Sequence, residues 1–378
     1  MLLIDCKGVL ENTMKNILMI LTLSMLVLSV VPMVLAVSTG TGITPDITTE
    51  KFAPRVWMCD DRIVTDDNTE PGRISGGGQE LVERINNYAF EGEKIHWTVL
   101  VMDKNKIDQN IDVYATVGSS QGAGNDIQSN CQRVGYQERA FKSCNARIDE
   151  EHVKWNPDLM DFFECTLTVE TPASMFGEYW ITVEAKDGDG LTGTMAENEF
   201  WFLNPIVGLA IDGNLAFNDV RPGTDAYSNT IKVGNDADVG SGVMMDMFIS
   251  GTDFYDSASS GARCPSTNQL SLSAFRYYVT NGAYNSAQDL NNNTGGGVVT
   301  RNTDAEGYTN IEYGTSFNNP YPFYDNAEIL QVQPVGPYYV ANVLAPGAEM
   351  ALTFKLSLPE PCNGNFDTGS IYFWGEAI

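Results

Sequence analysis

Basic side chains and histidine are scarce in this sequence. Lysine and arginine number 22 against 49 aspartates and glutamates, there are 2 histidines, and the formal net charge is −27. Because nucleic-acid binding depends on basic side chains that neutralise phosphates, we expect no nucleic acid as a partner. Such a negative charge has several possible explanations: binding of divalent cations, solubility at high salt, or repulsion between copies that salt screens on assembly. It is also compatible with a solvated acidic surface that binds no specific ligand.

Catalytic motifs are missing as well. His96 lies inside a predicted strand and His152 stands beside acidic residues, so neither has the spacing of a catalytic-triad or metal-binding histidine. There is no Gly-x-Ser-x-Gly elbow, and the glycine triplets at 76–78 and 295–297 are not followed by the Lys-Ser/Thr pair of a phosphate-binding loop. No carboxylate pair stands out for glycosidase chemistry. We therefore predict a protein that is not an enzyme.

A long apolar run occurs once, at the start of the chain. Lys15 precedes the apolar stretch Ile17–Val31, and the small-residue triplet Val34–Ala36 follows it. This pattern predicts a secretory signal peptide over residues 1–36. Residues 1–13 do not resemble the charged beginning of a signal, so either Met14 is the true start or the signal has an extended n-region. No later run has spanning length, so we expect no transmembrane anchor and an extracellular or cell-surface location.

The cysteine count fits export. Removing Cys6 with the signal peptide leaves an even number of cysteines, which predicts disulfides. The sequence contains no Cys-x-x-Cys pair, so a zinc site is not favoured. The remaining cysteines divide between the two halves of the chain, so pairing within each half is expected. The predicted bridges are Cys59–Cys165, Cys131–Cys144 and Cys264–Cys362.

The rest of the chain reads as β-strands. Residues 37–54 are rich in Thr, Gly and Pro and predict an extended arm. Alternating apolar and β-branched residues then recur between turn signals, which predicts an all-β protein built of β-sandwiches. One helix is expected at Gln79–Tyr88, from its apolar spacing. Asn204-Pro205 marks a boundary between two domains, at 55–205 and 206–378. A long Asn- and Gly-rich loop is predicted at 281–326.

Two segments resemble known families. Leu215–Gly223 followed by Ile231–Asn235 resembles the opening of TasA/camelysin-like domains, in which a strand, a Pro-Gly turn and a second strand begin a jelly-roll-like sandwich. Those domains form secreted fibres, and related archaeal pili join subunits by inserting a strand from a neighbour, so the resemblance implies a jelly-roll-like second domain and polymerisation. Glu178–Asp187 is similar to a strand of extracellular Ig-like modules, which implies an Ig-like first domain. The whole chain resembles archaeal surface-layer or filament proteins.

Two local motifs carry candidate sites. Asp187 and Asp189, in an Asp-Gly-Asp-Gly turn, offer oxygen ligands for calcium, although a solvated hairpin turn explains the same residues. Asn292 begins a glycosylation sequon on the predicted long loop.

These features give two functional hypotheses. The first is a structural subunit of an extracellular filament or surface layer, a homopolymer joined by β-strand addition, with Ile43, Ile47 and Phe52 of the arm as anchors. The alternative is an adhesin or glycan-binding module that contacts surface glycans through an aromatic-rich loop. The aromatic residues of that loop are Tyr308, Tyr313, Phe317, Tyr321, Phe323 and Tyr324.

Overall fold

The fold was analysed in a computed structural model. It describes residue 16 and residues 50–66, 84, 86–107, 110–145, 154–195, 198–288, 303–314, 327–335 and 338–378. Lys51–Ile378 form one compact unit. Several predictions lie outside the described residues: the signal peptide (apart from Asn16), Ile43 and Ile47 of the arm, His152 and Asn292. No helix in the described ranges has the length and apolarity needed to cross a bilayer.

The strands of the first half pair with one another. They are β1 (Arg55–Asp66), β2 (Tyr88–Ala89), β3 (Glu93–Met102), β4 (Asp112–Gly118), β5 (Ile127–Val134), β6 (Met160–Thr168), β7 (Gly177–Lys186), β8 (Thr192–Thr194) and β9 (Glu199–Leu203), with the helix α1 (Glu138–Asn145) between β5 and β6. Their order is β1-β3-β6-β5-β4-β7-β9-β2, and β8 pairs with β7. The first part of β5 pairs with β4 and the second part pairs with β6. This one strand therefore belongs to both sheets of the sandwich and connects them.

β3 explains why both faces of this sheet are covered. Its alternating residues Ile95, Trp97 and Val99 lie in the sandwich core, while Leu100 and Met102 point the other way, into a second cluster with α1. Successive side chains of a strand point to opposite faces, so a strand that is apolar at nearly every position needs cover on both sides. The helix α1 provides that cover.

The second half has more and shorter strands. They are β10 (Leu209–Asp212), β11 (Asp225–Tyr227), β12 (Ile231–Asn235), β13 (Met245–Gly251), β14 (Phe254–Tyr255), β15 (Gln269–Leu270), β16 (Phe275–Asn281), β17 (Tyr284–Asn285), β18 (Thr309–Asn310), β19 (Glu312–Tyr313), β20 (Pro334–Val335), β21 (Tyr338–Tyr339), β22 (Val343–Leu344), β23 (Glu349–Ser357) and β24 (Ile371–Ala377), with 3₁₀ turns at Leu272–Ala274, Ser286–Gln288 and Val340–Asn342.

Two sheets enclose the core of this half. One sheet has the order β10-β12-β23-β16-β17, with β11 paired to β23 and β18 to β16; in the other, β13 pairs with β19, β22 and β24. Inward residues of β23 and β16, such as Phe354 and Tyr277, pack with Met247 of β13. The predicted all-β sandwich architecture is therefore confirmed. The predicted boundary near Pro205 falls between the two sets of strands, and the division into two domains stays a prediction.

The disulfides correct two of the three predicted bridges. Cys264 pairs with Cys362 as expected, but Cys59 pairs with Cys144 and Cys131 with Cys165. Cys131 and Cys165 lie directly opposite each other on β5 and β6. Cys144 lies on α1, which packs beside Cys59 of β1. The sequence does not reveal that β5 pairs with β6 or that a helix follows β5, and those two features decide the pairing.

The predicted helix Gln79–Tyr88 is wrong where the structure describes it. Asn86 and Asn87 form a bend, and Tyr88–Ala89 form β2, which pairs in parallel with β9. Tyr88 is fully buried in a cluster with Phe202 and Val243. Burial of the aromatic ring in this cluster overrides the local helical spacing.

Candidate binding face

A row of polar and aromatic side chains crosses the outer face of the β11–β23–β16 sheet. Tyr227 of β11 lies opposite Lys355 of β23, which in turn lies opposite Arg276 of β16. Tyr278 stands two residues further along β16 on the same face, because side chains alternate along a strand. The inward neighbours Phe354 and Tyr277 are in the core. We call Tyr227, Tyr278 and Tyr308 the tyrosine face.

Tyr308 reaches this face from the loop that precedes β18. Its ring centre lies 5.7 Å from that of Tyr227 and 5.6 Å from that of Tyr278. The loop is held by Asp304, whose Oδ1 accepts hydrogen bonds from the backbone N–H groups of Glu306 and Tyr308, each at 2.9 Å. Gly307 has a φ of +89°, and a Cβ there would lie 2.9 Å from the ring of Tyr278. Glycine thus lets the loop approach the sheet closely enough to add the third tyrosine.

Lys355 fixes the charges beside the tyrosine face. Its Nζ lies 3.2 Å from Asp225, 3.1 Å from Asp304 and 3.0 Å from Glu306. Burial lowers the pKa of this ammonium group, but its hydrogen bonds to the three carboxylates outweigh burial and raise the pKa well above its usual range. Lys355 therefore stays charged, and the cluster of one cation and three carboxylates keeps a net negative charge.

The carboxylates and Tyr227 respond to the same contacts. A hydrogen bond from Ser357, with help from Lys355, lowers the pKa of Asp225. Burial raises the pKa of Asp304, but the Tyr308 backbone N–H and Lys355 lower it by more. The Tyr227 hydroxyl donates to Glu306 at 3.0 Å, which raises the pKa of that tyrosine. At neutral pH, Asp225 and Asp304 therefore stay negatively charged and Tyr227 stays neutral.

The face combines exposed ring surface with fixed polar groups. The Tyr227 side chain is 48% exposed, and Tyr278 and Tyr308 are half-buried. The Tyr227 ring is held at its hydroxyl end by Glu306, and an aromatic ring held in this way presents flat apolar surface at little entropic cost. Such a surface can pack against the C–H faces of a sugar ring, while the neighbouring charges accept or donate hydrogen bonds.

Of the predicted aromatic loop, the structure describes Tyr308 and Tyr313. Tyr308 lies on the tyrosine face, whereas Tyr313 lies elsewhere, with its hydroxyl 2.8 Å from Asp253 and 3.0 Å from Ser271. The other predicted members lie outside the described residues: Phe317, Tyr321, Phe323 and Tyr324. Sequence reasoning missed Tyr227, Tyr278 and Lys355. Their outward positions in alternating strands were the available signal, but their mutual proximity depends on the sheet order.

The predicted calcium ligands have other partners. Asp187 Oδ1 accepts from the Leu191 backbone N–H at 2.8 Å and closes the β7–β8 hairpin, and Asp189 forms an ion pair with Lys51 at 2.9 Å. Among the described residues, no group of three or more acidic, histidine or cysteine side chains is arranged to hold a metal. These contacts hold the hairpin turn together, and calcium binding at Asp187 and Asp189 stays a prediction.

Two further predicted residues contact their own half of the chain. The Phe52 backbone N–H donates to Asn105 Oδ1 at 2.6 Å, and Lys104 Nζ lies 5.6 Å from the centre of the Phe52 ring. His96 lies 3.0 Å from the Thr65 hydroxyl and 3.6 Å from Glu164. The end of the arm thus contacts the residues that follow β3, and His96 of β3 lies between Thr65 of β1 and Glu164 of β6.

Comparison with known proteins gives weak structural similarities. No family model and no curated protein matches the chain. The C-terminal domain of the Streptococcus agalactiae antigen I/II polypeptide BspA aligns at 11% identity and a TM-score of 0.28, covering 86% of this chain and 96% of that chain. The C-terminal domain of the Streptococcus pyogenes antigen I/II-family protein AspA aligns at 8% identity and a TM-score of 0.26, covering 82% and 92%. These TM-scores are too low to carry an argument about function. The resemblance to TasA/camelysin-like domains and to archaeal surface proteins stays a prediction.

Proposed function

We propose that this chain is an exported, non-catalytic surface protein of the adhesin type, which binds glycans through the tyrosine face. The observation that carries the proposal is the close grouping of Tyr227, Tyr278 and Tyr308 on the outer face of a sheet, where exposed rings stand beside fixed charges. The three disulfides support an oxidising location outside the cytoplasm.

Glycan-array binding of the purified chain tests this proposal. We expect Tyr227→Ala and Tyr308→Ala to weaken binding by about tenfold or more, since each removes a ring from the face. Phe176→Ala is the control, because Phe176 is an aromatic residue that is 50% exposed and lies between β6 and β7, in the first half of the chain. An array with no bound glycan, or equal binding by all variants, would contradict the proposal.

A second candidate function is a filament or surface-layer subunit that assembles with copies of itself. One observation favours it: β10 lies at the end of its sheet and pairs on one side with β12, among the described strands. The segment around β10 exposes several apolar side chains, with Ile206 at 60% and Ile211 at 54%. A strand edge that is open and apolar is a ready surface for pairing with another chain.

Electron microscopy of the purified chain tests the second candidate. Ile211→Lys should prevent fibres or sheets, because a charged side chain would sit within the new strand pair. Val239→Lys is the control, since Val239 is 91% exposed in a turn. A separate variant with Ile43, Ile47 and Phe52 replaced by Ser tests the arm. Monomers of the unmodified chain under all conditions would rule out assembly.

A further inference from the structure

A cleft lies next to the tyrosine face. It has a volume of about 330 Å³ and lies between the Cys264–Leu270 turn, the 3₁₀ turn Leu272–Ala274 and the end of β23. Ser357 belongs to its lining and lies opposite Asp225 across the pair of strands β23 and β11. Asp225 and Tyr227 are two residues apart on β11, a rise of about 7 Å along the strand, so the Ser357 side of the cleft lies near the tyrosine face. One ligand can therefore contact both.

The lining of the cleft combines apolar surface with polar, uncharged side chains. Its hydroxyl and amide groups come from Thr267, Gln269, Ser271, Ser273 and Ser357, and prolines and Leu270 supply apolar surface. Among the described residues that line it, none is charged, although the chain as a whole carries −27. Hydroxyl groups both donate and accept hydrogen bonds, as the hydroxyls of a sugar do. A neutral lining with acidic Asp225 and Asp253 close by favours an uncharged polyol over an anion.

The walls of the cleft are held in place before any ligand binds. Ser271 Oγ lies 2.7 Å from Ser273 Oγ and 3.0 Å from the Tyr313 hydroxyl. Asp253 accepts hydrogen bonds from that hydroxyl at 2.8 Å, from the Leu272 backbone N–H at 2.7 Å and from the Gln269 side-chain amide. Asp253 itself does not line the cleft, but its hydrogen bonds orient Tyr313, Leu272 and Gln269 around the lining.

The disulfide fixes the other wall. Cys264 is joined to Cys362, and its backbone N–H donates to the Thr267 carbonyl at 2.8 Å. Groups that are already ordered lose little entropy on binding, so a cleft of this kind can bind a small ligand without rearrangement.

We propose that this cleft binds the terminal ring of a neutral saccharide, whose following rings lie along the tyrosine face. The inference rests on the proposed glycan-binding function and adds the class of sugar and the site of its end group. A volume near the lower end of the range for small-molecule sites, about 300 to 1,000 Å³, fits one sugar ring better than several. The tyrosines would then bind the internal rings by packing.

The test uses the purified full chain and defined sugars. An array of neutral and sialylated oligosaccharides identifies a bound glycan, and free glucose, galactose, mannose and N-acetylglucosamine are then added as competitors. Ser273→Trp fills the cleft, and Ser266→Trp is the matched control, because Ser266 is exposed on the same turn but does not line the cleft. The double variant Thr267→Ala/Ser273→Ala removes two hydroxyls without adding bulk.

The inference expects a neutral glycan that one free monosaccharide displaces. It also expects that Ser273→Trp and the double alanine variant weaken binding by about tenfold or more, while Ser266→Trp does not. If Tyr227→Ala abolishes binding but the cleft variants leave it unchanged, the cleft site is wrong and the glycan-binding function stands. Binding of sialylated glycans alone also contradicts the cleft site. An array without any bound glycan overturns both proposals.

Discussion

The hydroxyl of Tyr88 donates a hydrogen bond to the main-chain oxygen of Ile378, which joins β2 of the first half to the residue that follows β24. Around this bond, Tyr88 packs with Phe202, Val243 and Ala237, and the Asn86 side-chain amide donates to the Gly242 carbonyl at 2.7 Å. The Arg84 guanidinium lies 4.2 Å from the centre of the Tyr88 ring. One buried tyrosine thus connects the two sets of strands.

Tyr88→Phe should lower the free energy of unfolding by about 1 to 2 kcal/mol, because the main-chain oxygen of the buried Ile378 loses this donor while the packing is kept. Burial raises the pKa of Tyr88 from 10.0 to about 12. A tyrosine whose pKa is raised by folding contributes stability that is complete below about pH 10 and is lost as the pH rises towards 12.

Denaturant unfolding at pH 8 and at pH 11 measures both effects. We expect the difference between the unmodified chain and Tyr88→Phe to shrink at pH 11, and Tyr255→Phe, at an exposed tyrosine, to behave like the unmodified chain at both values. A Tyr88→Phe protein that keeps the full stability and its full dependence on alkaline pH would contradict the role of this bond.

The disulfide pairing gives a second prediction. Non-reducing peptide mapping should find cross-links between the peptides of Cys59 and Cys144 and between those of Cys131 and Cys165. The bridges close separations of 85 and 34 residues, so removing either one should lower the free energy of unfolding by about 4 kcal/mol in the chain-entropy model. A cross-link between Cys59 and Cys165 would show that the pairing described here is wrong.

The strands were predictable because their signal is local. The strand pattern of Lys94–Met102 coincides with β3 at Glu93–Met102, and that of Met350–Ser357 coincides with β23 at Glu349–Ser357. In β23 apolar and polar side chains alternate, whereas β3 alternates only at its start and continues as a short apolar run; both patterns are typical of strands. The helix α1 was missed, because its buried residues, such as Phe141 and Cys144, stand in a short polar segment.

The tyrosine face was less predictable from the sequence than the strands were. Tyr227, Tyr278 and Lys355 are distant in the sequence and meet only because β11 and β16 both pair with β23. Nothing local in a strand specifies which distant strand pairs with it, so contacts of this kind require the sheet order. Tyr308 was identified from the local concentration of aromatic residues, but its stacking partners were not.

Replacing Lys355 tests the ion cluster beside the tyrosine face. Lys355→Met should lower the free energy of unfolding by an amount on the order of 2 kcal/mol, because it leaves Asp225, Asp304 and Glu306 close together without their cation. Lys232→Met is the matched control: its ion pair with Glu349 is exposed on both sides, so little change is expected.

The cluster also gives a pH dependence. Folding lowers the pKa values of Asp225 and Asp304, so their contribution to stability is present above the ordinary carboxyl pKa and is lost as the pH falls through the lowered values. Lys355→Met should therefore lose less stability than the unmodified chain between about pH 5 and pH 3. Parallel pH profiles for the two proteins would contradict the contribution of Lys355 to these shifts, which the Ser357 hydrogen bond and the Tyr308 backbone N–H also cause.

The Asp187 turn gives the last prediction. Asp187→Ala should lower the free energy of unfolding by about 1 kcal/mol, because the Leu191 backbone N–H loses its acceptor, whereas Asp187→Asn keeps an oxygen at the same place and should be nearly neutral. Calcium should leave the thermal unfolding temperature of all three proteins unchanged, since Asp187 is engaged with Leu191 and Asp189 with Lys51. Calcium binding would require both carboxylates to exchange those partners for a cation that needs at least about six oxygens. A calcium-dependent rise in unfolding temperature that both variants abolish would assign the turn to calcium instead.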